Sequence, residues 1–357
     1  YDGVFPYAVQ DSYGGPDALK RLVNAAHAAG IAVMLDVVYN HLGPEGNYLA
    51  EFGPYFTSTY QTPWGSAVNY DGAGSDEVRA FVIENACYWV REFHIDALRL
   101  DAIHGIFDFG ATHILAELTE RVHDTASQLG RRALVIGESD LNDPRLVRSP
   151  DRGGLGLDAQ WSDDFHHAVH VALTGERTGY YQGFAEYPEG AVAAIAHALS
   201  RRFVFDGQYA SHRDRRHGAP AGDVSADHFV IFVQNHDQVG NRAAGDRLDA
   251  LVPREARRLA AALLLLAPYV PLIFMGEEYG DPAPFLYFVS HSDPALVDAV
   301  RTGRREEFAA FGWAGDVPDP QAAGTFERSR IRFELGCDGE HAQLRAMYRE
   351  LLALRRT

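Results

Sequence analysis

Short apolar runs that stop at acids, amides or imidazoles, with helical stretches between them, recur along this chain. Ile31–Val38 ends in Tyr39, Asn40 and His41, and Ile95–Leu100 ends in Asp101. Ala133–Ile136 ends in Gly137, Glu138 and Ser139, and Phe229–Val233 ends in Gln234, Asn235, His236 and Asp237. Pro271–Met275 ends in Gly276, Glu277 and Glu278. A weaker run, Leu157–Trp161, ends at Ser162, Asp163 and Asp164. Runs this short, rich in Val, Ile, Leu and Phe, suit strands covered on both faces, as in a parallel sheet. Between them, Asp17–Ala29 carries Leu19, Leu22, Val23 and Ala26 at helical spacing and stops at Gly30. Asp76–Phe93, Thr112–Leu129, Arg254–Leu266 and Ala342–Leu354 are similar.

Strand–helix alternation over 357 residues leaves an α/β fold of one of two kinds, a doubly wound sheet or a (β/α)8 TIM-type barrel. The polar strand ends decide between them. A barrel builds its site from the C-terminal ends of several different strands. A nucleotide-binding sheet would show a Gly-rich turn after its first strand, and neither GxGxxG nor GxxxxGK[ST] is present. The expected architecture is therefore one catalytic barrel domain over residues 1–357, with an ordered insertion at about 279–332 before the final helix. A closed barrel needs eight strands, so the expectation includes two further strands upstream of Tyr1.

The net charge of −17 argues against nucleic acid or an anionic membrane surface as partner, since either favours a basic face. No apolar stretch approaches the roughly 20 residues that cross a bilayer. Cys87 and Cys337 are too few for a disulfide framework, and a cytoplasmic setting is the default. They carry no metal-ligand spacing, and neither metal nor cofactor is called for.

Cleaving a glycosidic bond with retention takes two carboxyl groups about 5–5.5 Å apart, one a nucleophile and the other an acid/base. Asp101 and Glu138 close neighbouring predicted strands, which lie ~4.8 Å apart in a sheet. Asp237 closes a later one. Arg99, two residues before Asp101, points to the same side of its strand and would keep that acid ionised. Any one acid at a strand end also serves as a helix cap or surface ion-pair partner. Three at three strand ends, with His41, His236 and Arg99 beside them, point to chemistry.

These residues carry a family resemblance. Asp36-Val-Val-Tyr-Asn-His41, Asp96-Ala-Leu-Arg-Leu-Asp101, Gly137-Glu138-Ser139 and Gln234-Asn-His-Asp237 resemble, in order, the four motifs of the α-amylase superfamily. The resemblance implies that Asp101 is the nucleophile, Glu138 the general acid/base and Asp237 the transition-state stabiliser holding two sugar hydroxyls. It implies that His41 and His236 bind the same sugar, that Arg99 orients Asp101, and that Tyr1 stacks beneath the ring. Asp36 and Asn40 read as scaffold. Longer stretches, among them Tyr39–Tyr48, Thr62-Pro-Trp-Gly65, Trp161–His167, His236–Arg242 and Asp319-Pro-Gln321, resemble members that release trehalose from maltooligosyl-trehalose. That resemblance implies an upstream glucan-binding β domain and a C-terminal β domain, neither found in this sequence.

Other signals are blander. Asp163 and His166, with Trp161, follow a strand end and are expected to shape the leaving-group side. His104, three residues past Asp101, is expected to touch the reducing-side sugar. His166, His167 and His170 have a spacing that suits a metal, but carboxylate-paired histidines are the simpler reading. Glu277 and Glu278 read as rim residues. Trp64, Tyr70, Phe285 and Tyr287 read mainly as core aromatics. The competing functions are a branching or debranching enzyme, a non-catalytic glucan-binding relative and a metal-dependent barrel hydrolase.

Overall fold

The computed structural model describes residues 3–310 and 317–357, which divide into two compact units. The first comprises residues 1–161 and 223–228. Its centre is a parallel ladder of β1 (Met34–Val37), β4 (Ala97–Leu100), β5 (Leu134–Gly137) and β6 (Ala159–Trp161), in that order. Met34 pairs with Ala97, Ala97 with Leu134 and Ile136 with Ala159. All four residues of β4 are buried, as a strand covered on both faces requires. β1 departs from that expectation, running from an exposed Met34 to a buried Val37.

Helix α1 (Gly15–Ala28) precedes β1, α2 (Ser75–Phe93) precedes β4, and α3 (Ile114–Gln128) joins β4 to β5. α2 buries Val78, Val82, Ala86, Trp89 and Phe93, a stripe at helical spacing that faces the core. An antiparallel hairpin, β2 (Phe56–Thr62) and β3 (Gly65–Val68), stands between β1 and α2. The sequence reading assigned no strand there. The segment's Thr and Tyr residues suit a half-exposed ribbon, and Pro63-Trp64 form its tip.

The second unit comprises residues 162–222 and 229–357. It opens with α4 (Asp163–Thr174), the short α5 (Gln182–Ala185) and α6 (Ala191–Arg201), then a small hairpin of β7 (Tyr209–Ala210) and β8 (Arg215–Arg216). β9 (Phe229–Ile231) leads into α7 (His236–Gly240), α8 (Leu248–Leu251) and α9 (Arg254–Leu266), and β10 (Val270–Pro271) pairs parallel with β9. The strand expected over Pro271–Met275 is shorter than its apolar run. Its last rung is Leu272 N–H to the Ile231 carbonyl, at 2.8 Å. The insertion expected near 279–332 contains α10 (Pro294–Ala310) and α11 (Ala323–Arg328). α12 (Gly339–Arg355) closes the unit, packing on α9.

Candidate active site

In the first unit the ends of β1, β4 and β5 present one connected cluster. Register pairs Leu100 with Gly137, so Asp101 and Glu138 leave adjacent strands side by side. Glu138 N–H donates to the Leu100 carbonyl at 2.9 Å, and Ile103 N–H to the Glu138 carbonyl at 3.0 Å. Ala102 adopts a left-handed backbone, φ 40°, a conformation that costs a residue with a Cβ and is found at functional sites. From there its N–H donates to Glu138 Oε2 at 2.6 Å.

Arg99 joins the acids. Its Nη1 donates to Asp101 Oδ1 at 3.0 Å and to Asp36 Oδ1 at 2.7 Å, and its Nη2 lies 2.9 Å from Glu138 Oε2. The guanidinium sits 4.3 Å from the ring centre of Trp161, at the end of β6, a cation–π contact within a buried setting. Burial alone would push Arg99 down. The Glu138, Asp36 and Asp101 carboxylates outweigh it and hold the group above its ordinary value.

The remaining contacts to Asp101 come from a residue that the sequence reading took as scaffold. Asn40 Nδ2 donates to Asp101 Oδ2 at 3.0 Å and to the Asp101 carbonyl at 2.7 Å. Its Oδ1 meets His41 Nδ1 at 2.5 Å, and the His41 ring stacks on Trp64 at the hairpin tip, 4.9 Å between centres and 7° from parallel. Asp36 likewise acts as more than scaffold, since it fixes Arg99 from β1. His104 Nδ1 lies 3.8 Å from Asp140 Oδ1, and its ring centre is 6.4 Å from that of Trp64. Tyr1 falls outside the described residues.

In the second unit, Asp237 stands in the first turn of α7. Asn235 caps that helix, accepting from the N–H groups of Asp237 (2.9 Å) and Gln238 (3.2 Å), while Gln238 Oε1 accepts from Asn235 N–H at 3.1 Å. This reciprocal box leaves Asp237 with 44% side-chain exposure and His236 Nε2 3.6 Å from Asp237 Oδ1. Asp163 is the first residue of α4 and half-buried.

His166 is placed otherwise than expected for a sugar contact. It is 1% exposed, its Nδ1 lies 2.6 Å from the Val233 carbonyl and its Nε2 3.1 Å from the Tyr181 hydroxyl. Burial, then His170, pushes its imidazole down to about 3. The neutral ring therefore donates from Nδ1 and accepts from Tyr181, pinning α4 to the segment that precedes Asp237. His170 is carboxylate-paired, 2.9 Å from Glu176, which Arg242 grips through both terminal nitrogens at 2.8 and 2.9 Å. Glu277 is a correction to the rim reading: it is 4% exposed, accepts from Tyr348 at 2.8 Å, and burial pushes it up to about 8.

The strand-end acids, their order along the chain and the parallel strands are similar to those of the α-amylase superfamily of glycoside hydrolases. A family model of the alpha amylase catalytic domain matches residues 1–63. The full chain is 49% identical to the malto-oligosyltrehalose trehalohydrolase of Saccharolobus solfataricus and 51% identical to that of Arthrobacter ramosus, covering 60% and 61% of those proteins. The chain thus spans about three fifths of the curated relatives it matches. A crystal structure of a Salmonella typhimurium protein superposes with a TM-score of 0.92 at 42% identity, covering all of this chain and 60% of that one. A Bacillus subtilis pullulanase shares the fold alone, with a TM-score of 0.59 at 18% identity. The fold class is the (β/α)8 barrel of that superfamily.

Proposed function

We propose that this chain carries the catalytic machinery of a retaining glycoside hydrolase that cleaves the α-1,4 bond next to the terminal trehalose of a maltooligosyl-trehalose, releasing trehalose. The observation that carries the reading is Arg99, whose two terminal nitrogens hold Asp101 and Glu138 from one guanidinium. The names of the relatives reported above support the choice of substrate.

Asp101 is the nucleophile. Arg99 and Asn40 each occupy one of its oxygens, which aims the carboxylate. Attack on the anomeric carbon forms a glycosyl ester as the bond to the trehalose oxygen breaks. Glu138 supplies the proton to that oxygen, then takes one from the water that hydrolyses the ester. Oε2 of Glu138 already accepts from Ala102 N–H, which assigns the transferable proton to Oε1. Asp237 and His236 take the third-acid and sugar-binding roles that the superfamily resemblance implies, His41 the partner role on the same sugar. His104 and Asp163 are assigned to the leaving-group side, and Tyr1 to the stacking position.

The partner is a neutral α-glucan, not nucleic acid or a membrane. Among the described residues no helix is long and apolar enough to span a bilayer. Both cysteines are free, which supports a cytoplasmic setting.

The test is incubation with maltotriosyl-trehalose, following free trehalose, for the parent and for Glu138→Gln. Release by the parent and none by the variant is expected. Malto-oligosaccharide products without trehalose would instead favour a branching or debranching activity. Binding without turnover by either would favour a glucan-binding role.

A further inference from the structure

Two side chains just past the proposed catalytic pair face one another across a short gap. His104 lies in the turn Ile103–Gly105 that leaves β4, three residues after Asp101. Asp140 lies on the segment that leaves β5, two residues after Glu138. Ile103 N–H donates to the Glu138 carbonyl at 3.0 Å and draws the two segments together. His104 Nδ1 thereby comes to 3.8 Å from Asp140 Oδ1. That separation is too long for a hydrogen bond, and polar pairs beside a reacting centre often tighten only when substrate is bound.

The two nitrogens of the His104 ring are placed differently. Nδ1 is sealed from solvent and, among the described residues, makes no hydrogen bond. The side chain as a whole is 31% exposed, so its open edge is the far one, which carries Nε2. A carboxylate oxygen only accepts. A bare Nδ1 lone pair turned to Asp140 would set acceptor against acceptor, so the proton belongs on Nδ1. A neutral imidazole carries a single N–H, which leaves Nε2 as a lone pair. The partner of one ring nitrogen thus fixes what the other can do.

We propose that Asp140 is a positioning residue: it holds His104 as the Nδ1–H tautomer and so presents Nε2 as an acceptor to a hydroxyl of the leaving sugar. Binding closes the gap, with Nδ1–H donating to Oδ1 as the sugar hydroxyl donates to Nε2. Without Asp140 nothing keeps the proton on Nδ1, and a ring protonated at Nε2 meets that hydroxyl as a donor instead. The role rests on the reading of His104 as a leaving-group residue given above.

Two measurements test the role. Nitrogen-15 spectra of the imidazoles are recorded at the alkaline limit of titration, with the His104 signals assigned by their absence in His104→Ala. The parent is expected to carry its proton on Nδ1 of His104, and Asp140→Ala to carry it on Nε2. Asp140→Asn, which keeps an acceptor oxygen, is expected to restore the parent form. A parent ring protonated at Nε2, or a tautomer indifferent to Asp140, overturns the proposal. Trehalose release from maltotriosyl-trehalose is the second measurement. Asp140→Ala and His104→Ala are each expected to raise KM about tenfold, the loss of one hydrogen bond, with kcat nearly unchanged. In the His104→Ala background, Asp140→Ala is expected to add nothing, because the acid acts only through the ring. Losses that multiply overturn the role. If the parent releases no trehalose, the substrate reading falls, and the spectra, which need no substrate, decide the pairing of Asp140 with His104.

Discussion

Arg99 Nη2 lies 2.9 Å from Glu138 Oε2, so the guanidinium that steadies Asp101, the proposed nucleophile, also steadies Glu138, the proposed acid/base. Its other terminal nitrogen reaches Asp101 and Asp36, and Trp161 covers its face. A lysine would keep the charge but lose the planar fork and the stack. Arg99→Lys is expected to lower kcat on the order of 100-fold, the cost of misplacing reacting groups by about 1 Å, with a much smaller change in KM. A loss confined to KM would mean that Arg99 serves binding rather than the reacting pair.

Asn40 supplies the second donor to Asp101. Asn40→Ala removes a hydrogen bond to a charged group, worth about 1.5–3 kcal/mol, and it also frees His41 Nδ1 from its partner. The expected result is a kcat lower by about 10- to 100-fold. Thermal unfolding is the companion measurement. A fall in stability that accounts for the whole loss of activity would assign Asn40 to scaffold alone.

Part of this site was legible in the sequence for simple reasons. Strand ends that carry acids declare themselves when the strands are short apolar runs, and the two-residue spacing of Arg99 and Asp101 places both on one side of β4. Asn40 was missed because spacing does not distinguish an amide that bonds the Asp101 carboxylate from one that caps a turn. Glu277 was misplaced because a single glycine, Gly276, reverses the chain after β10 and sends the next side chain inward. An apolar run followed by acids reads the same either way. The hairpin β2–β3 was missed because its pattern is mixed: its polar, half-exposed strands lack the continuous apolar run that marked the others. α10 was missed because its charged residues obscure its apolar spacing.

His166 separates positioning from recognition. Its Nδ1–H serves the Val233 carbonyl in a buried place, and a donor at that point is needed because an unsatisfied buried carbonyl costs about 1–3 kcal/mol. An asparagine amide nitrogen stands where Nδ1 stands, whereas a glutamine's stands nearer Nε2. His166→Asn is therefore expected to retain more stability in urea unfolding than His166→Gln. Equal losses would show that the bond to Val233 is not what matters.

Glu176 makes the pH dependence of this unit testable. The hydrogen bond from His170 and the grip of Arg242, working against burial, hold its carboxyl at about 2, below an unfolded value of about 4.3. A depressed carboxylate contributes stability above its unfolded value and loses it as pH falls through the folded one. Glu176→Gln is therefore expected to lower Tm more at pH 7 than at pH 3, with the gap between parent and variant closing progressively below about pH 4.3. A gap that stays constant from pH 7 to pH 2 would mean that the ionised form of Glu176 contributes nothing beyond what a neutral amide supplies.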